Sequence, residues 1–158
     1  HKMHGPKGQG ALFIRRRRPP LRLQAQIDGG GQERGLRSGT LNVAGIVGFG
    51  EACRLSQVEG AADALRLGIL RDQLQARLQQ ALGDRIIING HPEDRLPNAL
   101  NVSFRGVHGA ELLVALRDVA LSSGAACSSG ADTPSHVLAA MGCDVTLAAA
   151  SLRFGLGR

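Results

Sequence analysis

Four short segments of this 158-residue chain hold side chains whose types and neighbours suit chemistry. ALSSGAACSSG (120–130) surrounds Cys127 with Ser, Gly and Ala, residues too small to pack a core around a thiol. A cysteine so placed is expected to be exposed and to travel, as a nucleophile serving a bound substrate and an external acceptor must. A buried packing thiol is the competing reading. HKMHGPKGQG (1–10) sets Lys2 beside a His and a Gly-Pro turn. A lysine amine condenses with an aldehyde when its surroundings lower its pKa, though taken alone Lys2 reads as a solvated terminal lysine. In GGGQERGLRSGTLN (29–42), Thr40 follows Gly39 and lies near Arg37, a setting in which a hydroxyl donates to a phosphate oxygen. The alternative is a plain helix-entry residue. Arg153, between Leu152 and Phe154 in SLRFGLGR (151–158), reads as a buried strand arginine needing an anion. A substrate carboxylate fits the guanidinium fork, and so does a structural salt bridge.

The elements that must position these residues follow from periodicity. ALFIRR (11–16) reads as a short buried strand running out to solvent. Asn42 is a candidate cap for a helix over 43–56, and a second, amphipathic helix over 61–82 carries Leu67, Leu70, Leu74, Leu78 and Leu82 on one face. Gly83 stands where a helix C-cap is expected. Strands are expected at 86–89, 98–104 and 151–156, and helices at 109–119 and from Pro134 to about residue 141. The 120–135 segment starts as a strand and dissolves into the small-residue loop.

Composition narrows the classes. The three cysteines, Cys53, Cys127 and Cys143, are odd in number and irregularly spaced, against a disulfide framework or a zinc site. Cys53 and Cys143 read as structural thiols, and no metal site is expected. No apolar run approaches the ~20 residues that span a bilayer. The net charge of +6 owes much to Arg15, Arg16, Arg17 and Arg18. No aromatic side chain interleaves with them and Pro19 and Pro20 follow, so a solvated strand end outweighs a nucleic-acid patch.

The four segments, in this order, resemble those of the cysteine desulfurases, a branch of the fold-type-I pyridoxal-phosphate enzymes. The likeness covers nearly the whole chain and is nearest the iron–sulfur-assembly type. It implies an α/β, PLP-dependent transferase fold of type I, present in part: the end of the large domain (1–42), connecting helices (43–82) and most of the small C-terminal domain (83–158). It implies pyridoxal 5'-phosphate as cofactor, with Lys2 as the Schiff-base lysine and His1 beside the cofactor phosphate. Thr40 would reach the phosphate of the partner subunit's cofactor, making the protein a homodimer. Cys127 would be the nucleophile and Arg153 the anchor of the substrate carboxylate. The implied reaction converts L-cysteine to L-alanine and leaves a persulfide on Cys127. That sulfur would pass to an iron–sulfur scaffold protein or a tRNA-thiolation acceptor, and Cys127 would serve at most as a transient cluster ligand.

A cytoplasmic location, no membrane partner and no direct nucleic-acid binding are expected. The chain opens on His1-Lys2 without an initiator Met and reads as a segment of a longer protein, inactive by itself, with an exposed edge where further strands should pair. A selenocysteine lyase or an aminotransferase of the same fold is the nearer alternative, and the small-residue loop around Cys127 argues against the latter. A non-catalytic scaffold paralogue belongs to another class, as does an RNA-binding protein built on Arg15–Arg18.

Overall fold

The computed structural model describes residues 2–123 and 134–158. They form two compact units, residues 1–60 and 61–158.

In the first unit a Gly-Pro turn lies against the opening turns of helix α1 (Val43–Leu82). The approach is close enough to favour glycine: a Cβ on Gly5 would sit 2.9 Å from the Ala52 methyl. Asn42 caps α1 as expected, its Oδ1 accepting from the Gly45 N–H at 3.1 Å. The polar loop before it makes one 3-10 turn, Gln32–Gly35. The expected strand at 11–16 does not form. Those residues are irregular, and Leu12 and Phe13 are 77% and 85% exposed. A strand exists only by pairing, and the sheet of the described residues is built wholly from the second unit.

Where two helices were expected over 43–82, one continuous helix of 40 residues is found. The 57–60 linker holds no proline, and Gly60 costs a helix only about 1 kcal/mol, too little to end it. Gly83, at φ 54°, then turns the chain out of the helix as a C-terminal glycine should.

The second unit packs a three-stranded antiparallel sheet on the later turns of α1. Its strands are β1 (Ile86–Asn89), β2 (Ala99–Phe104) and β3 (Ser151–Gly155), in the order β1-β2-β3. All three were legible as strands. The register sets Ile88 opposite Val102 and Leu152 opposite Val102 from the other side. One face is therefore Ile86, Ile88, Leu100, Val102, Phe104, Leu152 and Phe154. Leu74, Leu78 and Leu82 of α1 pack on its Ile86–Leu100–Val102 centre, as the leucine periodicity required. The loop before β2 is fastened to the same helix: Arg71 Nη1 donates to the Leu96 carbonyl at 3.0 Å, and Arg95 donates to Gln75 Oε1 at 2.8 Å.

The other face is mostly polar, with Asn89, Asn101, Ser103, Ser151 and Arg153 beside Ile87. Short helices follow β2 in the chain, α2 (Gly109–Ala115), α3 (His136–Ala140) and α4 (Val145–Ala149), and α4 packs against this face. Helix α2 is shorter than expected, ending at Ala115 with Leu116 as its cap. Helix α4 was not anticipated, although Asp144 is a legible cap. Its Oδ1 accepts from the backbone N–H of Thr146 at 2.9 Å and of Leu147 at 3.3 Å, and from the Thr146 hydroxyl.

Those donors, the Thr146 hydroxyl foremost, hold the Asp144 carboxyl below its ordinary value. A folded pKa below the unfolded one contributes stability that is complete above the ordinary carboxylate range and is lost as pH falls through the folded value. Asp144→Asn, an equally good cap, should leave stability near neutrality almost unchanged and remove that acid-side loss. Urea midpoints near pH 7 and near pH 3 check it.

Candidate active site

In the first unit the amine and the phosphate donor expected from sequence are both exposed. Lys2 lies in a turn that leads into the Gly-Pro segment held on α1. Thr40 stands two residues before the α1 cap. The loop that delivers it is held from within. The buried Ser38 donates its N–H to the Ile27 carbonyl at 3.2 Å, and Gly39 donates its N–H to Gln32 Oε1 at 3.0 Å. Gly39 has φ 111°, a region closed to L side chains, and a Cβ there would also meet Arg37 Nη1 at 2.9 Å. Arg37 was read as a cation near Thr40. Its guanidinium folds back on its own loop, Nη1 donating to the Ser38 carbonyl at 2.7 Å.

In the second unit Arg153 lies in the expected strand, but it is exposed, not buried. Pleating turns Leu152 and Phe154 to the α1 side and Arg153 to the polar face, beyond the part that α4 covers. Among the described residues no carboxylate pairs with it, and the arginine ion pairs there involve Arg54, Arg66, Arg71, Arg95 and Arg158. Ser122 forms a two-bond bridge with its backbone: Arg153 N–H donates to Ser122 O at 2.7 Å and Ser122 N–H to Arg153 O at 3.4 Å. The strand expected from residue 120 is reduced to this bridge. His1 and Cys127 lie outside the described residues.

Of the two cysteines read as structural, Cys53 is exposed and Cys143 half-buried. Ala52, not Cys53, meets the turn at Gly5, and the next residue lies about 100° further round the helix, facing away. Cys143 is in the packed region, its sulfur 4.0 Å from Ser103 Oγ.

A family model described as aminotransferase class-V matches residues 1–158. The chain belongs to the aminotransferase class-V family. Its fold is α/β, a part of the fold-type-I pyridoxal-phosphate transferase. Over all 158 residues the chain is 56% identical to a protein named cysteine desulfurase IscS from Anaeromyxobacter sp. (strain Fw109-5) and spans 39% of that relative's length. It is 49% identical to the cysteine desulfurase of Rattus norvegicus, 35% of which it spans. Among solved structures, one titled NifS-like protein is 39% identical with a TM-score of 0.79, over 99% of this chain and 38% of that one. DndA from Streptomyces lividans is 38% identical with a TM-score of 0.76, over 98% of this chain and 44% of that one.

Pyridoxal 5'-phosphate is the cofactor of this class-V family. The residues present fit it in kind: an exposed primary amine for its aldehyde, and an exposed hydroxyl for its phosphate, ahead of a helix N-terminus whose partial positive charge favours anions.

Proposed function

We propose that the protein of which these residues form a part is a cysteine desulfurase that converts L-cysteine to L-alanine and stores the sulfur on Cys127. The observation that carries this reading is the bridge between Ser122 and Arg153. It ties the segment entering the Cys127 loop to the strand bearing the carboxylate anchor, and Cys127 follows Ser122 by five residues. An aminotransferase has no use for a thiol there.

Residues 1–42 are the end of the large cofactor-binding domain, 43–82 the connection, and 83–158 the small domain. Lys2 and Thr40 hold the cofactor, Lys2 through its amine and Thr40 at the phosphate of the partner subunit's cofactor in a homodimer, with His1 beside the phosphate. Pyridoxal phosphate, when bound, supplies the electron sink. Arg153 fixes the substrate carboxylate through paired hydrogen bonds. The Lys2 amine takes the proton from the substrate α-carbon and returns protons to carbon as the products form. The Cys127 thiolate attacks the substrate sulfur. A sulfur–sulfur bond forms, the carbon–sulfur bond breaks with its electron pair left on carbon, and protonation of that carbon and of the α-carbon completes alanine. The persulfide then passes to an acceptor, an iron–sulfur scaffold protein or a tRNA-thiolation carrier, in the cytoplasm. None of the described helices is long and apolar enough to cross a membrane. Residues 1–158 alone are expected to be inactive.

The test is alanine formation from L-cysteine by the intact, cofactor-loaded protein, beside Lys2→Ala. Wild type should form alanine, and the variant should be slower by about a hundredfold or more, the scale of losing a positioned acid–base group. Equal rates would remove Lys2 from the mechanism, and no alanine from wild type would refute the desulfurase reading.

A further inference from the structure

The polar face of the sheet carries a hydrogen-bond chain whose direction is set at one end. Ser151 Oγ lies 2.8 Å from the Leu147 carbonyl oxygen, which can only accept, so the single Ser151 hydroxyl proton is committed there. Ser103 Oγ is 2.6 Å from Ser151 Oγ and must therefore be the donor of that pair. With its own proton used, Ser103 Oγ only accepts: from Cys143 at 4.0 Å and from Asn89 at 2.7 Å. This decides which end of the Asn89 amide faces it, namely Nδ2. The same Nδ2 is 2.7 Å from Asn101, which must present Oδ1. Ser103 and Ser151 are fully buried, so the chain is shielded from water that would scramble it.

The consequence falls on Asn101. Its oxygen is taken by Asn89, and its Nδ2, with two N–H donors, has no partner among the described residues. Asn101 pairs with Arg153 across β2 and β3, and side chains so opposed share a face with Cβ atoms about 5 Å apart. Asn101 is half-buried and Arg153 exposed, so the pair lies where the polar face opens to solvent. We infer that Asn101 is a second carboxylate-binding residue: its Nδ2 donates to the anion that the Arg153 guanidinium holds. This deepens the proposed function and rests on Arg153 as the carboxylate anchor.

Asn101→Asp keeps an oxygen for Asn89 and replaces the donor with an anionic oxygen. In the intact protein loaded with pyridoxal phosphate, KM for L-cysteine should rise about tenfold or more, the scale of losing a hydrogen bond to a charged group, while kcat stays within about twofold. The Kd of L-alanine, followed by the cofactor's absorbance, should rise in parallel, whereas that of ethylamine, the same skeleton without the carboxylate, should not move. Asn101→Ala, which adds no charge, should shift L-alanine in the same direction and serves if the aspartate variant does not fold. Equal shifts for L-alanine and ethylamine, or none for either, would overturn the assignment. The titrations decide Asn101 even if wild type forms no alanine from L-cysteine, an outcome that would instead refute the desulfurase reading.

Discussion

Alanine in place of Cys127 should lower alanine formation from L-cysteine by at least about a thousandfold in the intact, cofactor-loaded protein, the scale of removing an essential nucleophile. Cys127 follows Ala125 and Ala126 and precedes Ser128 and Ser129, whose hydroxyls are far weaker nucleophiles toward sulfur than a thiolate. Binding should survive, because the groups proposed to hold the substrate, Arg153 for its carboxylate and the cofactor for its amine, are untouched. The variant should therefore still bring about the absorbance change caused by L-cysteine, and should form no persulfide on mass analysis. Alanine formed at the wild-type rate by Cys127→Ala would make the thiol a bystander and favour the lyase alternative. Cys143 provides the control. Its sulfur sits against the buried Ser103 hydroxyl, so Cys143→Ser should change packing without abolishing sulfur transfer.

The largest effect on stability is expected from Gly109→Ala. Gly109 is buried at the first position of α2, and a Cβ there would lie 2.0 Å from the Ala149 carbonyl oxygen and 3.2 Å from the Ala150 Cα. These are backbone atoms at the junction of α4 and β3, so no side-chain rotation relieves the clash. Either α2 moves away or β3 shifts its register on β2. We expect a loss of more than about 4 kcal/mol, in the range reserved for severe overpacking, or no folded protein at all. The unfolding midpoint of the variant in urea measures it. Gly50→Ala is the matched control: it lies within α1 with nothing within 4 Å of an added Cβ, and should gain up to about 1 kcal/mol from helix propensity. A Gly109→Ala protein as stable as wild type would mean that α2 is not seated against Ala149 as described.

Much of the small sheet was readable from the chain alone, because its signals are local. Alternation in 98–104 and the isoleucines of 86–89 mark strands wherever they end up. The leucine steps from Leu67 to Leu82 mark a helix face, of which Leu74, Leu78 and Leu82 meet the sheet. Asn42 and Gly83 punctuate α1 at both ends by side-chain and backbone chemistry that needs no distant partner. The strand expected at 11–16 failed for the opposite reason: its pattern is local, but its ladder is not, and no described strand pairs with it. The break expected in α1 failed because a single glycine is a weak stop.

Sequence by itself determined which residues are the candidates for chemistry and in what order: Lys2, Thr40, Cys127 and Arg153, picked out by the four segments taken together. Tertiary structure decided what stands beside them. The pleat of β3 turns Arg153 to the open polar face, and the register of β2 on β3 brings Asn101 opposite it. Packing of α4 on the sheet sets the accept-only Leu147 carbonyl against Ser151 and so gives the buried hydrogen-bond chain its direction. None of these was legible in the chain, because cross-strand neighbours are set by register and burial by packing. Both are properties of the assembled sheet, not of any short stretch of residues.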